Sequence, residues 1–166
     1  MTSPAFSVRA MAATDVGAVA RIYRAHVAPT SSRVRREIRA RIDEVIADAG
    51  RRAVALVGVD DHDRVAGYLI GDVRSWEFGS EPAGWIFALG VDPRLARRGL
   101  GRLLLNEAAR SFARRGIHTV RTMVRRDDVP VLRFFRGEHF NGGPYLELEL
   151  ELGLGAAAAA PRAEVG

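Results

Sequence analysis

Apolar positions recur along this chain with two periods, and each change of period marks a new element. Residues 6–11 read as a short strand. Val16, Val19, Ala20, Ile22, Tyr23 and Val27 then repeat at helical spacing. Thr14 and Asp15 are suited to cap that helix, which ends before Pro29. A second helix is predicted over residues 30–49, with Val34, Ile38, Ile42, Val45 and Ile46 on its apolar face and Gly50 as its stop. From residue 53 the pattern becomes that of strands. Residues 53–59 form a continuous apolar run, residues 60–63 a polar turn, and residues 65–73 a second run, so the two predict a hairpin.

A loop over residues 75–82 holds Trp76, Glu77, Phe78 and Glu81, and residues 84–91 form the next strand. The helical period returns at Leu100 and continues to Arg115. Residues 117–124 are again rich in strand formers. Asp127 and Asp128 precede Val129 and Pro130, which suits the start of a helix running to about Gly137. Residues 145–152 alternate strictly between leucine and glutamate after Tyr145, as a half-buried strand should. The hairpin predicts antiparallel pairing, and the strand–helix–strand unit over residues 84–124 predicts one parallel pair joined by a right-handed crossover. An α/β fold with a mixed, mostly antiparallel sheet flanked by helices follows, as a single domain over residues 1–152. Residues 153–166, rich in alanine and glycine, are expected to form a disordered tail.

The densest candidate chemistry lies between the strand ending at Val91 and the helix starting at Leu100. Gly99 and Gly101 stand at the helix entrance, where backbone can approach a ligand closely. The free N–H groups and positive dipole end of the helix favour an anion, above all a phosphate. Arg97, Arg98 and Arg102 add charge and forked donors.

Composition narrows the classes. The 166 residues contain no cysteine, which excludes disulfides, thiolate metal sites and a cysteine nucleophile. No apolar stretch approaches the roughly 20 residues of a membrane span, and no signal peptide is apparent, so a cytoplasmic protein without a membrane partner is expected. The net charge of +5 comes from arginine alone, since lysine is absent. The arginines are spread along the chain without interleaved aromatics, which argues against a nucleic-acid partner. The four histidines show no metal-ligand spacing, so no metal is expected.

The element order, together with Val91-Asp92-Pro93 and the Arg97-Arg98-Gly99-Leu100-Gly101 run, resembles the GCN5-related N-acetyltransferase (GNAT) superfamily. The resemblance implies a splayed parallel strand pair and acetyl-CoA as cosubstrate. Leu89, Gly90 and Val91 would face the pantetheine and thioester, with bulge amides near these residues polarising the carbonyl. Ala96, Arg97, Arg98, Gly99, Leu100, Gly101 and Arg102 would hold the pyrophosphate. Asp128, Phe134 and Phe135 would border the cofactor from the later helix.

The chain departs from the family pattern at four positions. Ala96 stands where arginine or glutamine is usual, and Asp128 where asparagine is usual. Phe135 takes the place of the tyrosine often cited as general acid, and Phe87 that of a frequent carboxylate base. Glu77 and Glu81 are therefore the candidate catalytic carboxylates; Glu77, between Trp76 and Phe78, sits where desolvation would raise its pKa. The resemblance implies transfer of an acetyl group to a primary amine on a small molecule or peptide. A CoA-binding regulatory or interaction module with impaired catalysis is the alternative. The acceptor's identity and the oligomeric state, a homodimer included, stay open.

Overall fold

The computed structural model describes residues 5–26, 32–48, 52–75, 81–145 and 147–150. The chain divides into two compact units, Met1–Asp128 and Val129–Gly166.

The first unit is a five-stranded sheet with helices on both faces. Its elements in order are β1 (Ser7–Ala10), α1 (Val16–His26), α2 (Ser32–Ala47), β2 (Ala53–Val59), β3 (Val65–Arg74), β4 (Ala83–Val91), α3 (Leu100–Ala113) and β5 (Val120–Thr122). Strand order follows the chain, β1-β2-β3-β4-β5. The pairs are antiparallel except β4 with β5, which is parallel. This is the mixed sheet expected from the sequence. Among the described residues, no helix is long and apolar enough to cross a membrane.

The two faces of the sheet are filled differently. On one face the α1 stripe packs with Ile42 of α2 against Ala55, Val57 and Tyr68. On the other, Leu100, Leu104, Ala108 and Phe112 of α3 are buried to within 1% of complete. The sheet meets α3 with glycines, so the helix comes in close: a Cβ built on Gly67 would lie 3.1 Å from Leu100 Cδ2, and one on Gly84 would lie 2.7 Å from the Phe112 ring.

Two buried carboxylates hold the entrances of α1 and of the loop after β4. Asp15 accepts two bonds from the Arg9 guanidinium, at 2.7 and 3.1 Å, and one from the Ala12 N–H at 2.8 Å. The expected cap at Thr14 and Asp15 is thus displaced. A 3₁₀ turn over Ala13–Asp15 leads into α1, and Asp15 acts by reaching back to Ala12. Asp92 accepts from Arg21 at 2.9 Å and from the Arg94 N–H at 3.1 Å, capping a 3₁₀ turn at Pro93–Leu95. Arg9 holds the Asp15 carboxyl below the usual carboxylate range, and Arg21 does the same for Asp92. A carboxylate with a lowered folded-state pKa contributes stability above about pH 4, and that contribution fades as pH falls through the folded pKa. Asp15→Asn is expected to cost roughly 1–3 kcal/mol at neutral pH and to flatten the acid limb of a stability–pH curve. Urea melts at pH 7 and pH 3 check this, and an undiminished pH dependence in the variant would count against it.

The second unit holds α4 (Val129–Gly137). Phe135 is buried, with edge-to-face contacts to Phe134 and Phe140, both at 5.1 Å between ring centroids. The strand expected over residues 145–152 is absent where described. Residues 147–150 have no strand structure, and Leu148 and Leu150 are 86% and 83% exposed. Alternation selects a face, but a strand also needs a partner edge to satisfy its backbone, and none pairs with this segment among the described residues. The expected tail, residues 153–166, lies outside the described residues.

Candidate active site

The site begins where β4 leaves β5. The parallel pairing covers Gly84, Trp85 and Ile86 against Val120, Arg121 and Thr122, and stops there. Thr122 Oγ1 donates to the Ile86 carbonyl at 3.1 Å, closing the ladder at its last rung. The expected span of β5, residues 117–124, is reduced to Val120–Thr122, the three residues that pair with β4. On its other edge β4 stays paired with β3, but with one residue too many. Ile70 pairs with Ala88 and Gly71 with Ile86, leaving Phe87 as the extra residue of a bulge. The bulge therefore lies two residues before Leu89, earlier than the expected position near Leu89 to Val91. Beyond it, Leu89 and Val91 are half-buried and Gly90 is buried.

The end of β4 is tied to α1. His26 Nε2 donates to the Val91 carbonyl at 2.7 Å, and Arg21 bonds Asp92. The chain then turns sharply. Arg97 and Gly99 both adopt the left-handed conformation, with φ of 62° and 84°. Gly99 caps α3, and its carbonyl accepts the first helical bond from the Leu103 N–H at 3.1 Å. The amides of Leu100 and Gly101 precede that ladder at the helix end. Arg97 and Arg98 are exposed, and neither has an ion-pair partner among the described residues. A Cβ on Gly99 would meet nothing within 4 Å, so the space before the helix is open. Open space, free amides, a positive helix end and two uncommitted guanidiniums fit a pyrophosphate. The Leu100 side chain is buried against Gly58 and Gly67, so this residue presents only its backbone at the turn. Ala96 is exposed at the end of the 3₁₀ turn, and Arg102 is exposed on the first turn of α3.

A cavity of about 800 Å³ opens on the α1–α2 face of the sheet. Ile70 and Ala88 form part of its wall beside the bulged Phe87, which is 49% exposed. The Arg74 guanidinium lies 4.4 Å from the centre of the Phe87 ring and donates to both Asp72 oxygens at 2.9 Å. Among the described residues, Asp72, Glu44 and Asp48 bring carboxylates to this cavity and Arg74 a guanidinium. Two tyrosines, Tyr23 and Tyr68, complete the wall. Burial pushes the Tyr68 phenol well above its ordinary pKa, and nearby Tyr23 adds to the shift.

The carboxylates nominated from the sequence fare differently from those the cavity gathers. Glu81 is exposed just before β4 and does not line the cavity; Glu77, Trp76 and Phe78 lie outside the described residues. Sequence reasoning missed Glu44, Asp48 and Tyr68. The spacing of Glu44 on α2 and Asp48 in the turn just after it carried a usable signal, since residues four apart share a helix face and the Asp48 N–H still bonds the Glu44 carbonyl. Asp128 is half-buried before α4, Phe134 is half-buried and Phe135 buried on it. Asp60, Asp61 and His62 also lie close together, but their bonds serve the β2–β3 turn. Asp60 accepts from the His62 and Arg64 N–H groups and from Arg64 Nε, and Arg64 holds its carboxyl down at about 2.

The structure is similar to several acetyltransferases. Aminoglycoside N-acetyltransferase AAC(6')-Iy in complex with CoA matches with a TM-score of 0.75 at 13% identity, over 90% of this chain and 97% of that one. Glucosamine-6-phosphate N-acetyltransferase from Arabidopsis thaliana matches at 0.69 and 16%, over 88% and 98%. An acetyltransferase from Trypanosoma brucei matches at 0.66 and 20%, over 89% and 100%. No curated protein matches the chain. The acetyltransferase (GNAT) family model matches residues 19–140, well over half of the sequence. With the splayed β4–β5 pair, the glycine turn and the mixed sheet all in place, the chain belongs to the acetyltransferase (GNAT) family.

Proposed function

We propose that this protein is an acetyl-CoA-dependent N-acetyltransferase acting on a primary amine. The observation that carries the reading is the carboxylate-lined cavity, which reaches β4 at its bulge beside the splayed pair. In a chain of net charge +5, a cavity that gathers Asp72, Glu44 and Asp48 beside Arg74 among its described residues favours a cationic acceptor. The similar structures include enzymes named for aminoglycosides and glucosamine-6-phosphate, both amine-bearing sugars. The open helix entrance at Arg97 to Arg102 would hold the CoA pyrophosphate, with Leu89 to Val91 along the pantetheine. Asp128, Phe134 and Phe135 are proposed to border the cofactor.

In the transfer, the amine nitrogen bonds the acetyl carbon as the carbon–sulfur bond breaks, and CoA departs with the electron pair as a thiolate. The ammonium must first lose one proton, and the nitrogen sheds a second to solvent as the amide forms. Glu77 is the proposed base and Glu81 the second candidate, while Glu44 and Asp48 would draw the ammonium into the cavity. Phe135 has no proton to give, so the low basicity of the thiolate must suffice for its departure.

The test is acetyl-CoA consumption against a panel of amines, beside calorimetry with CoA. Turnover is expected with at least one amine, rising with pH as free amine becomes available. Glu77→Gln is expected to lower turnover at neutral pH and to lose less at high pH. Tight CoA binding with no turnover across a broad panel would favour the regulatory module, and no CoA binding would end both readings.

A further inference from the structure

Tyr68 has no part in the chemistry so far, yet its surroundings single it out. It is 3% exposed, and its side chain lines the cavity. Among the described residues its hydroxyl has no hydrogen-bond partner, and it is not sealed away from the cavity. A phenol whose ring is packed and whose hydroxyl opens to a cavity presents its donor to whatever occupies that cavity. Register fixes where this hydroxyl lies. Tyr68 pairs with Gly90 across the β3–β4 ladder. A Cβ built on Gly90 would be 2.6 Å from the ring edge and 3.0 Å from the hydroxyl oxygen. The phenol therefore lies over the bare Cα of Gly90, three residues beyond the bulged Phe87.

We propose that the Tyr68 hydroxyl donates a hydrogen bond to the carbonyl oxygen of the acetyl thioester, where negative charge gathers during transfer. This rests on the reading of the protein as an acetyltransferase, with Leu89 to Val91 along the thioester. The phenol's shifted ionisation separates two roles. A group held well above its ordinary pKa is a poor proton donor to a thiolate, but it remains a hydrogen-bond donor throughout the working pH range. Tyr68 keeps its proton, and the departing sulfur takes none from it. Gly90 acquires a reason to be glycine, since any side chain there would push the phenol away.

The test compares wild type with Tyr68→Phe and Gly90→Ala. Calorimetry with acetyl-CoA and with CoA separates the thioester from the rest of the molecule. In Tyr68→Phe, CoA is expected to bind as in wild type, while any preference for acetyl-CoA shrinks. Turnover is expected to fall at least about tenfold, with the acceptor KM little changed and the shape of the pH profile retained. Gly90→Ala, which keeps the phenol but displaces it, is expected to lose turnover in the same direction. Wild-type turnover in Tyr68→Phe, or an altered pH limb that marks Tyr68 as an acid, would overturn the assignment while turnover by the wild type upholds the enzyme reading. Failure of wild type to bind CoA would instead remove the reading on which the proposal rests.

Discussion

Replacing Gly99 and Gly101 together by glutamate is expected to weaken CoA binding by more than about 100-fold, equivalent to about 2.7 kcal/mol, while the protein stays folded. Gly99 has a φ of 84°, a region that costs an L-residue roughly 1–2 kcal/mol. Nothing lies within 4 Å of its Cβ position, so the new side chain would occupy the open space before α3. Two carboxylates there would cancel the field of the helix end and repel a pyrophosphate. The fold is spared because α3 is held from its other side, by Leu100, Leu104 and Phe112. Gly99→Ala separates strain from charge and is expected to lose less than about tenfold in affinity, about 1.4 kcal/mol. Calorimetry with CoA, paired with circular dichroism, reads both. A folded double variant that binds CoA like wild type would place the pyrophosphate elsewhere.

The largest expected loss of stability comes from Phe112→Ala, at about 3–5 kcal/mol. The ring is fully buried and lies directly over Gly84, with Gly71 also in reach. Those glycines have no side chains that could swing in to fill the space. The cavity would persist, which is the circumstance in which truncation costs most. Urea melts should show a lower midpoint with an unchanged slope. Gly84→Ala attacks the same contact from the sheet, since its Cβ would lie 2.7 Å from the ring, so Phe112→Leu should relieve part of its cost. A loss below about 1 kcal/mol for Phe112→Ala would be incompatible with a close-packed α3.

The parts that could be read from the sequence are those with local causes. The leucine stripe after Gly99 needs a helix whatever surrounds it, and the glycine turn before it needs only its own φ values. The parallel pair followed from a single strand–helix–strand unit. What escaped depends on pairing between distant segments. The bulge at Phe87 exists only as a mismatch between β3 and β4, and no residue in it is a turn former. Tyr68 looks like an ordinary strand tyrosine until register sets it opposite Gly90. The alternating leucines near the C-terminus show the converse: the local pattern is regular, but no partner edge meets it among the described residues. Asp15 was identified as a capping residue, but its link to Arg9 needs the fold to bring β1 beside the entrance of α1.

The extra residue in β4 acts as a change of parity within one strand. Before it, Gly84 points toward α3; after it, Ala88 faces the cavity and Gly90 faces Tyr68, although all three carry even numbers. The first half of the strand is thereby in phase with the packed core, and the second half is in phase with the ligand side. Deleting Phe87 would close the register shift and give a regular ladder, with Ile86 still opposite Gly71 and Gly90 still opposite Tyr68. The extra residue thus adds an exposed aromatic at the cavity wall while the pairing on either side of it stays in step.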